Sequence, residues 1–229
     1  MAEPIAAVLL DIEGTTTPIA FVHRTLFPFA RARLPALLRD HAADPAVAAE
    51  LDAVRAAAPG QDPLAVLLGW MDQDAKETSL KVLQGLLWRG GYAEGALQGE
   101  VYPDVAPALQ QWSGVGLRLF VYSSGSVEAQ KLIFGHSTAG NLVGLFTGFF
   151  DTRTGPKREA RSYKAIADAA AVSPGALLFL SDVEAELDAA AAAGLPTCQL
   201  VRAQDGTVPS LRHSTATTLE EVGDRFALP

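Results

Sequence analysis

The chain changes its hydrophobic rhythm twice. Ile5-Ala6-Ala7-Val8-Leu9-Leu10 is an unbroken apolar run with branched side chains, the pattern of a buried strand. From residue 18 to about 99 the texture becomes helical. Ala, Leu, Arg and Glu dominate, and Leu80, Leu83 and Leu87 recur at helical spacing with Leu86 alongside. Pro45, Pro59-Gly60, Pro63 and Gly90-Gly91 punctuate this stretch. After Val101 the pattern alternates. Residues 117–122 read as a strand, 127–134 as a helix, 162–171 as a helix and 177–180 as a strand. Residues 186–193 read as an alanine-rich helix stopped by Gly194, and 198–201 as a further strand. Strands alternating with helices predict an α/β fold with a doubly wound parallel sheet. The expected division is a core of residues 1–17 and 100–229, with a helical insert of residues 18–99 after the first strand. The polar tail 203–218 reads as a surface loop or an irregular closing segment.

Composition narrows the partners. At 229 residues and 49% hydrophobic, the chain builds one large domain, or a domain plus a smaller insert. A net charge of −8 argues against nucleic acid or an anionic membrane, since either favours a basic face. The single cysteine, Cys198, excludes an internal disulfide and makes a zinc cluster implausible. Its strand-like neighbours suggest a core thiol. The four histidines show no metal-ligand spacing. No apolar run reaches membrane-span length, and no basic-then-apolar leader opens the chain. The expectation is a cytoplasmic monomer acting on a small molecule.

Polar groups cluster where strands end, which is where open α/β sheets bind ligands. Asp11-Ile12-Glu13-Gly14-Thr15 follows the first apolar run, placing two carboxylates beside a glycine that permits a tight turn. An acidic turn after a strand gives the same letters. Ser123-Ser124-Gly125-Ser126 follows residues 117–122. Hydroxyls and backbone N–H groups at a helix start form a phosphate cradle, though a serine before a helix is also an ordinary N-cap. Ser181-Asp182-Val183-Glu184-Ala185-Glu186 suits a hard cation such as magnesium; acids at a helix start also satisfy the helix dipole. Lys157, in Gly155-Pro156-Lys157, is either a solvated charge or a group held in a shaped loop.

Acidic strand end, serine strand end, lysine and second acidic strand end occur in the order of the haloacid dehalogenase superfamily of phosphatases, which the chain resembles. The resemblance implies Asp11 as nucleophile, Ser123 and Ser124 as phosphate holders, Lys157 as charge partner and Asp182 as metal ligand. The second acid, Glu13, departs from the usual Asp and points to one branch. Asp11-Ile12-Glu13-Gly14-Thr15-Thr16-Thr17-Pro18 resembles the opening of the enolase-phosphatases of methionine salvage (acireductone synthases). So do Trp70-Met71-Asp72-Gln73-Asp74, Tyr102-Pro103-Asp104-Val105, Tyr122-Ser123-Ser124-Gly125-Ser126 and Phe179-Leu180-Ser181-Asp182. The likeness runs from about Ala7 to Arg202.

That resemblance implies a haloacid dehalogenase-like core with a helical cap. It implies magnesium held by Asp11, Glu13 (through its backbone carbonyl) and Asp182. The implied reaction enolises 2,3-diketo-5-methylthiopentyl-1-phosphate and then dephosphorylates it through an aspartyl-phosphate on Asp11. Glu13 would protonate the leaving oxygen and activate water, and is the nearest candidate base for enolisation. Lys76 and Lys81 in the insert are candidates for enolate stabilisation on polarity, and read more simply as solvated helix charges. Two rivals stand beside this reading: a phosphatase of another small phosphate ester, and a non-catalytic protein that binds a phospholigand. Neither a P-loop nor a Gly-x-Ser-x-Gly elbow is present.

Overall fold

A computed structural model describes residues 3–228. Six strands form one parallel sheet: β1 Ala7–Leu10, β2 Arg118–Tyr122, β3 Gly148–Phe150, β4 Leu177–Ser181, β5 Thr197–Leu200 and β6 Ser214–Ala216. Their order is β3-β2-β1-β4-β5-β6. The chain winds outward one way from β1 to β3 and the other way from β4 to β6. The direction therefore reverses between β1 and β4, and a crevice opens at the carboxyl ends of those two strands. In register, Leu10 lies beside Val121 on one side and Leu180 on the other. The residues that follow each strand therefore emerge side by side.

Chemistry of the strands explains their place. β1 and β4 are buried throughout, as continuous apolar strands between helical layers should be. Leu9, Phe120, Tyr122 and Phe179 pack with Tyr163 and Ile166 of α8 (Ala160–Ala170) and Leu187 of α9 (Glu184–Ala192). α6 (Val105–Gly114), α7 (Val127–Gly135) and α10 (Leu219–Phe226) complete this unit, which comprises the residues up to Ile19 and from Gly99 onward. Cys198 is a buried thiol, as its strand neighbours suggest.

The tail corrects the sequence reading. Residues 203–218 carry a 3-10 turn, Ala203–Asp205, and the sixth strand, β6, where a loop is expected. Three residues, Ser-Thr-Ala, are too short and too polar to show an apolar run; pairing with β5 makes them a strand. β3 is also only three residues long. The helix expected at residues 186–193 begins two residues earlier, because acidic side chains favour its first turn.

Residues Ala20–Gln98 form a separate helical unit. α1 (Ile19–Phe21) leads through a π-helical turn, Val22–Leu26, into α2 (Phe27–Asp40). The Phe27 N–H reaches back to the Val22 carbonyl. Pro28, next in line, has no N–H with which to keep the α-helical ladder, which accounts for the wider turn. α3 (Pro45–Ala57), α4 (Pro63–Asp72) and α5 (Thr78–Ala93) follow. Leu34, Leu51, Val54, Leu67, Leu80, Leu83 and Leu87 share one apolar core. The leucine spacing in α5 thus marks its buried face. Lys76 is exposed and paired with Asp74. No helix among the described residues is long and apolar enough to cross a membrane.

Candidate active site

Asp11 leaves β1 at the crevice and is 5% exposed. The loop behind it is a compact turn in which the N–H groups of Thr15, Thr16 and Thr17 all point at the Ile12 carbonyl. The Thr16 hydroxyl donates to the Asp11 carbonyl at 3.0 Å. Gly14 takes a left-handed φ of +71°, and a Cβ there would meet Asp182 Oδ2 at 2.4 Å. Glycine is required here for both reasons, since the backbone of the first acidic loop lies against the second acidic residue. Glu13 is exposed in this loop.

Lys157 is buried, contrary to the solvated alternative. Its ammonium lies 2.7 Å from Asp11 Oδ1 and 2.5 Å from Glu186 Oε2. The lysine loop is clamped by its backbone. Tyr122 donates to the Gly155 carbonyl, Ser162 to that of Pro156 and Tyr163 to that of Lys157. Gly155, at φ +147°, packs where a Cβ would strike the Ser162 hydroxyl. Burial alone would depress the Lys157 ammonium, but Asp11 and Glu186 hold its pKa above the ordinary lysine value.

Asp182 and Glu186 sit at the end of β4 and in the first turn of α9. Burial first, and then the charge of Asp11, push Asp182 up to about 7. Glu186 is also raised, by burial and Asp11 against the pull of Lys157. The Ser181 hydroxyl lies 3.3 Å from Asp11 Oδ2 and 3.0 Å from Glu186 Oε2. Two carboxyls therefore share one ammonium while a third, Asp182, lies near them without it, and the Asp182 Oδ1 atom is buried with no hydrogen-bond partner. Excess negative charge and an orphaned carboxylate oxygen fit a hard divalent cation. No group of three His, Cys, Asp or Glu side chains is arranged as a metal cage among the described residues.

The serine end of β2 is built differently. Ser123 is buried, its N–H donates to the Phe150 carbonyl, and its hydroxyl accepts from Gly125 N–H at 3.1 Å. Ser124 is exposed. Ser126 is the N-cap of α7, accepting from Ala129 N–H. The capping role thus falls to Ser126, and the two preceding serines are left for other work. Gln130, buried on α7, donates to both the Gly125 and Phe150 carbonyls at 2.8 Å.

Sequence reasoning includes Ser181 and Glu186 only as members of an acidic cluster suited to a cation, singles out neither, and assigns no role to Gln130. The signal for Glu186 is its place in the first turn of the helix that follows Asp182, within the same acidic cluster. Nothing local marks Gln130 as the residue that ties the ends of β2 and β3 together.

Comparison with known proteins fixes the family. Residues 5–194 match the haloacid dehalogenase-like hydrolase family. Enolase-phosphatase E1 of Gluconacetobacter diazotrophicus is 58% identical over 99% of this chain and 97% of that protein. The chain belongs to the haloacid dehalogenase-like hydrolases, in their enolase-phosphatase E1 family. Enolase-phosphatase E1 of Granulibacter bethesdensis is likewise 58% identical, over 99% of this chain and 98% of its own. The crystal structure of the UTR4 protein of Saccharomyces cerevisiae superposes with a TM-score of 0.79 at 34% identity, covering 93% of this chain and 98% of that one. Phosphatases of the haloacid dehalogenase-like family generally use a divalent metal, and the carboxyl-rich end of this sheet is chemically fit for one.

Proposed function

We propose that the chain is a bifunctional enolase-phosphatase of methionine salvage. It converts 2,3-diketo-5-methylthiopentyl-1-phosphate to the acireductone 1,2-dihydroxy-3-keto-5-methylthiopentene as a monomeric cytoplasmic enzyme using magnesium. The observation that carries this is 58% identity over nearly the whole chain to proteins named enolase-phosphatase E1. The buried Asp11–Lys157 pair at the sheet's reversal point supports it. In this reading the core unit carries the chemistry and the helical unit is a substrate-selecting cap.

Enolisation comes first. A base takes a proton from C1, the carbon that bears the phosphate ester, and the C2 carbonyl oxygen takes up a proton to become the enol oxygen. Glu13, exposed on the nucleophile loop, is our candidate for the base. Phosphoryl transfer follows. An Asp11 oxygen forms a bond to phosphorus as the bond from phosphorus to the ester oxygen on C1 breaks, and Glu13 protonates that departing oxygen. Glu13 then takes a proton from water, which attacks phosphorus, releases phosphate and restores Asp11. Lys157 fixes the Asp11 carboxylate and offsets charge beside the phosphate. Ser123 and Ser124 supply donors for its oxygens. Asp11, the Glu13 carbonyl and Asp182 would hold magnesium, which supplies electrostatic shielding between two anions when bound.

Anaerobic turnover of the diketone phosphate tests the whole reading, with ultraviolet absorbance and free phosphate followed together. Enol absorbance and stoichiometric phosphate are expected. Phosphate without an enol signal would leave a phosphatase of another ester, and neither signal would leave a binding protein.

A further inference from the structure

Every N–H of the Arg202 guanidinium is engaged. Nε and Nη2 donate to the Thr15 carbonyl at 3.1 and 2.8 Å. Nη1 and Nη2 grip the two oxygens of Asp104 at 3.0 Å each, and Nη1 also donates to the Thr217 carbonyl at 2.9 Å. Those five bonds exhaust the five donors of an arginine. The Tyr102 ring lies 4.1 Å from the guanidinium carbon, and Arg202 is only 4% exposed. No donor is left for a substrate. Burying such a charge is costly unless its geometry is nearly ideal, so this one is committed to holding the backbone in place.

What it holds is informative. Thr15 lies in the Asp11–Glu13 loop, and its hydroxyl accepts the Asp182 N–H at 3.0 Å. The Asp182 carbonyl is held from the other side by Gln199 Nε2 at 2.8 Å. The Asp182 carboxylate in turn lies against Gly14. The Thr15 peptide therefore sets the spacing between the two acidic strand ends, and Arg202 sets the Thr15 peptide. We infer that Arg202 is a positioning residue for the divalent cation, acting through Thr15 on the separation of the Asp11 loop from Asp182. This rests on the cation site proposed above. Arginine is specified because the two bonds to one carbonyl and the two to one carboxylate need a planar fork, which lysine lacks.

The test measures magnesium binding to substrate-free protein by calorimetry, alongside the magnesium dependence of turnover. Arg202→Gln combined with Asp104→Asn removes both charges, so neither is left buried alone. It should raise the magnesium concentration for half-saturation about tenfold in both assays, a factor worth about 1.4 kcal/mol. kcat at saturating magnesium should change less than about threefold. Arg202→Lys, which keeps a charge opposite Asp104, should fall between. Val222→Ala, in the buried face of α10, lowers stability without touching this chain of contacts and should leave magnesium affinity unchanged. Wild-type affinity in both Arg202 variants would overturn the inference, as would an equal loss in Val222→Ala. A wild-type chain that binds no magnesium would overturn the cation site itself, and the inference with it.

Discussion

The two halves of the site solve different problems. The half formed by the ends of β1 and β4 is charged, buried and crowded: Asp11, Asp182, Glu186 and Lys157 meet where water is scarce. It is braced by charged side chains from distant parts of the chain, Lys157 within it and Arg202 behind it. The half formed by the ends of β2 and β3 has a single ion pair, the buried Asp151 with the exposed Arg153, and is otherwise held by backbone contacts and the Gln130 amide; it opens to solvent at Ser124. The difference follows from dielectric. Like charges in a buried crevice repel strongly, so their separation must be fixed and their excess offset. A phosphate cradle made of dipoles tolerates looser support.

The sharpest break of this comparison is at the nucleophile. Asp11→Asn should lower phosphate release at least about a thousandfold, because an amide keeps the shape and loses the attacking oxygen. Circular dichroism should show an intact fold. Saturated with substrate and magnesium, the same variant should still accumulate enol absorbance; its absence would tie the carboxylate to both steps. Next in size is Lys157→Met, which leaves Asp11 and Glu186 facing each other without their common cation. Turnover should fall about a hundredfold, and stability in chelator by about 3 kcal/mol, read from denaturant unfolding. A variant as stable as wild type would show that the charged half does not depend on that offset.

Protonation gives a subtler test. Asp182 is raised from 3.8 to about 7 in the folded chain, so the native state holds a proton that the unfolded state has released. Stability from this group is therefore complete below the unfolded value and is lost as pH rises through about 7. Glu186 adds to the same trend. In chelator, the unfolding midpoint should fall as pH rises from about 4 to about 7 and level off above that, and magnesium should reduce that fall by taking the proton's place. A midpoint independent of pH and of magnesium would place no strained carboxyl there. The smallest effect is expected on the serine half. Gln130→Met removes a donor from two part-buried carbonyls, of which that of Phe150 keeps the Ser123 N–H, at about 1 kcal/mol. KM should rise about threefold to tenfold with an unchanged magnesium requirement. A shift in that requirement would mean the two halves are coupled.

Much of this was legible in the linear pattern, and for a local reason. Buried parallel strands must be apolar throughout, so the polar residue that ends each run marks the edge of the sheet where ligands bind. Asp11, Ser123 and Asp182 are visible that way, and the order of the motifs identifies the superfamily. Glu186 was legible in principle, since it belongs to the acidic cluster that follows β4 and falls in the first turn of the next helix.

Other features depend on contacts that no local window contains. The burial of Lys157 comes from two carboxyls, one of them 146 positions earlier in the chain. β6 exists because β5 offers it an edge, not because Ser-Thr-Ala favours extension. Arg202 and Thr15 are 187 positions apart, and an arginine after a strand looks like any surface charge until the fold buries it. Short-range periodicity therefore determines which segments become elements and where their polar ends fall. Which charges are desolvated, and what holds them apart, was decided only when distant segments closed over one another.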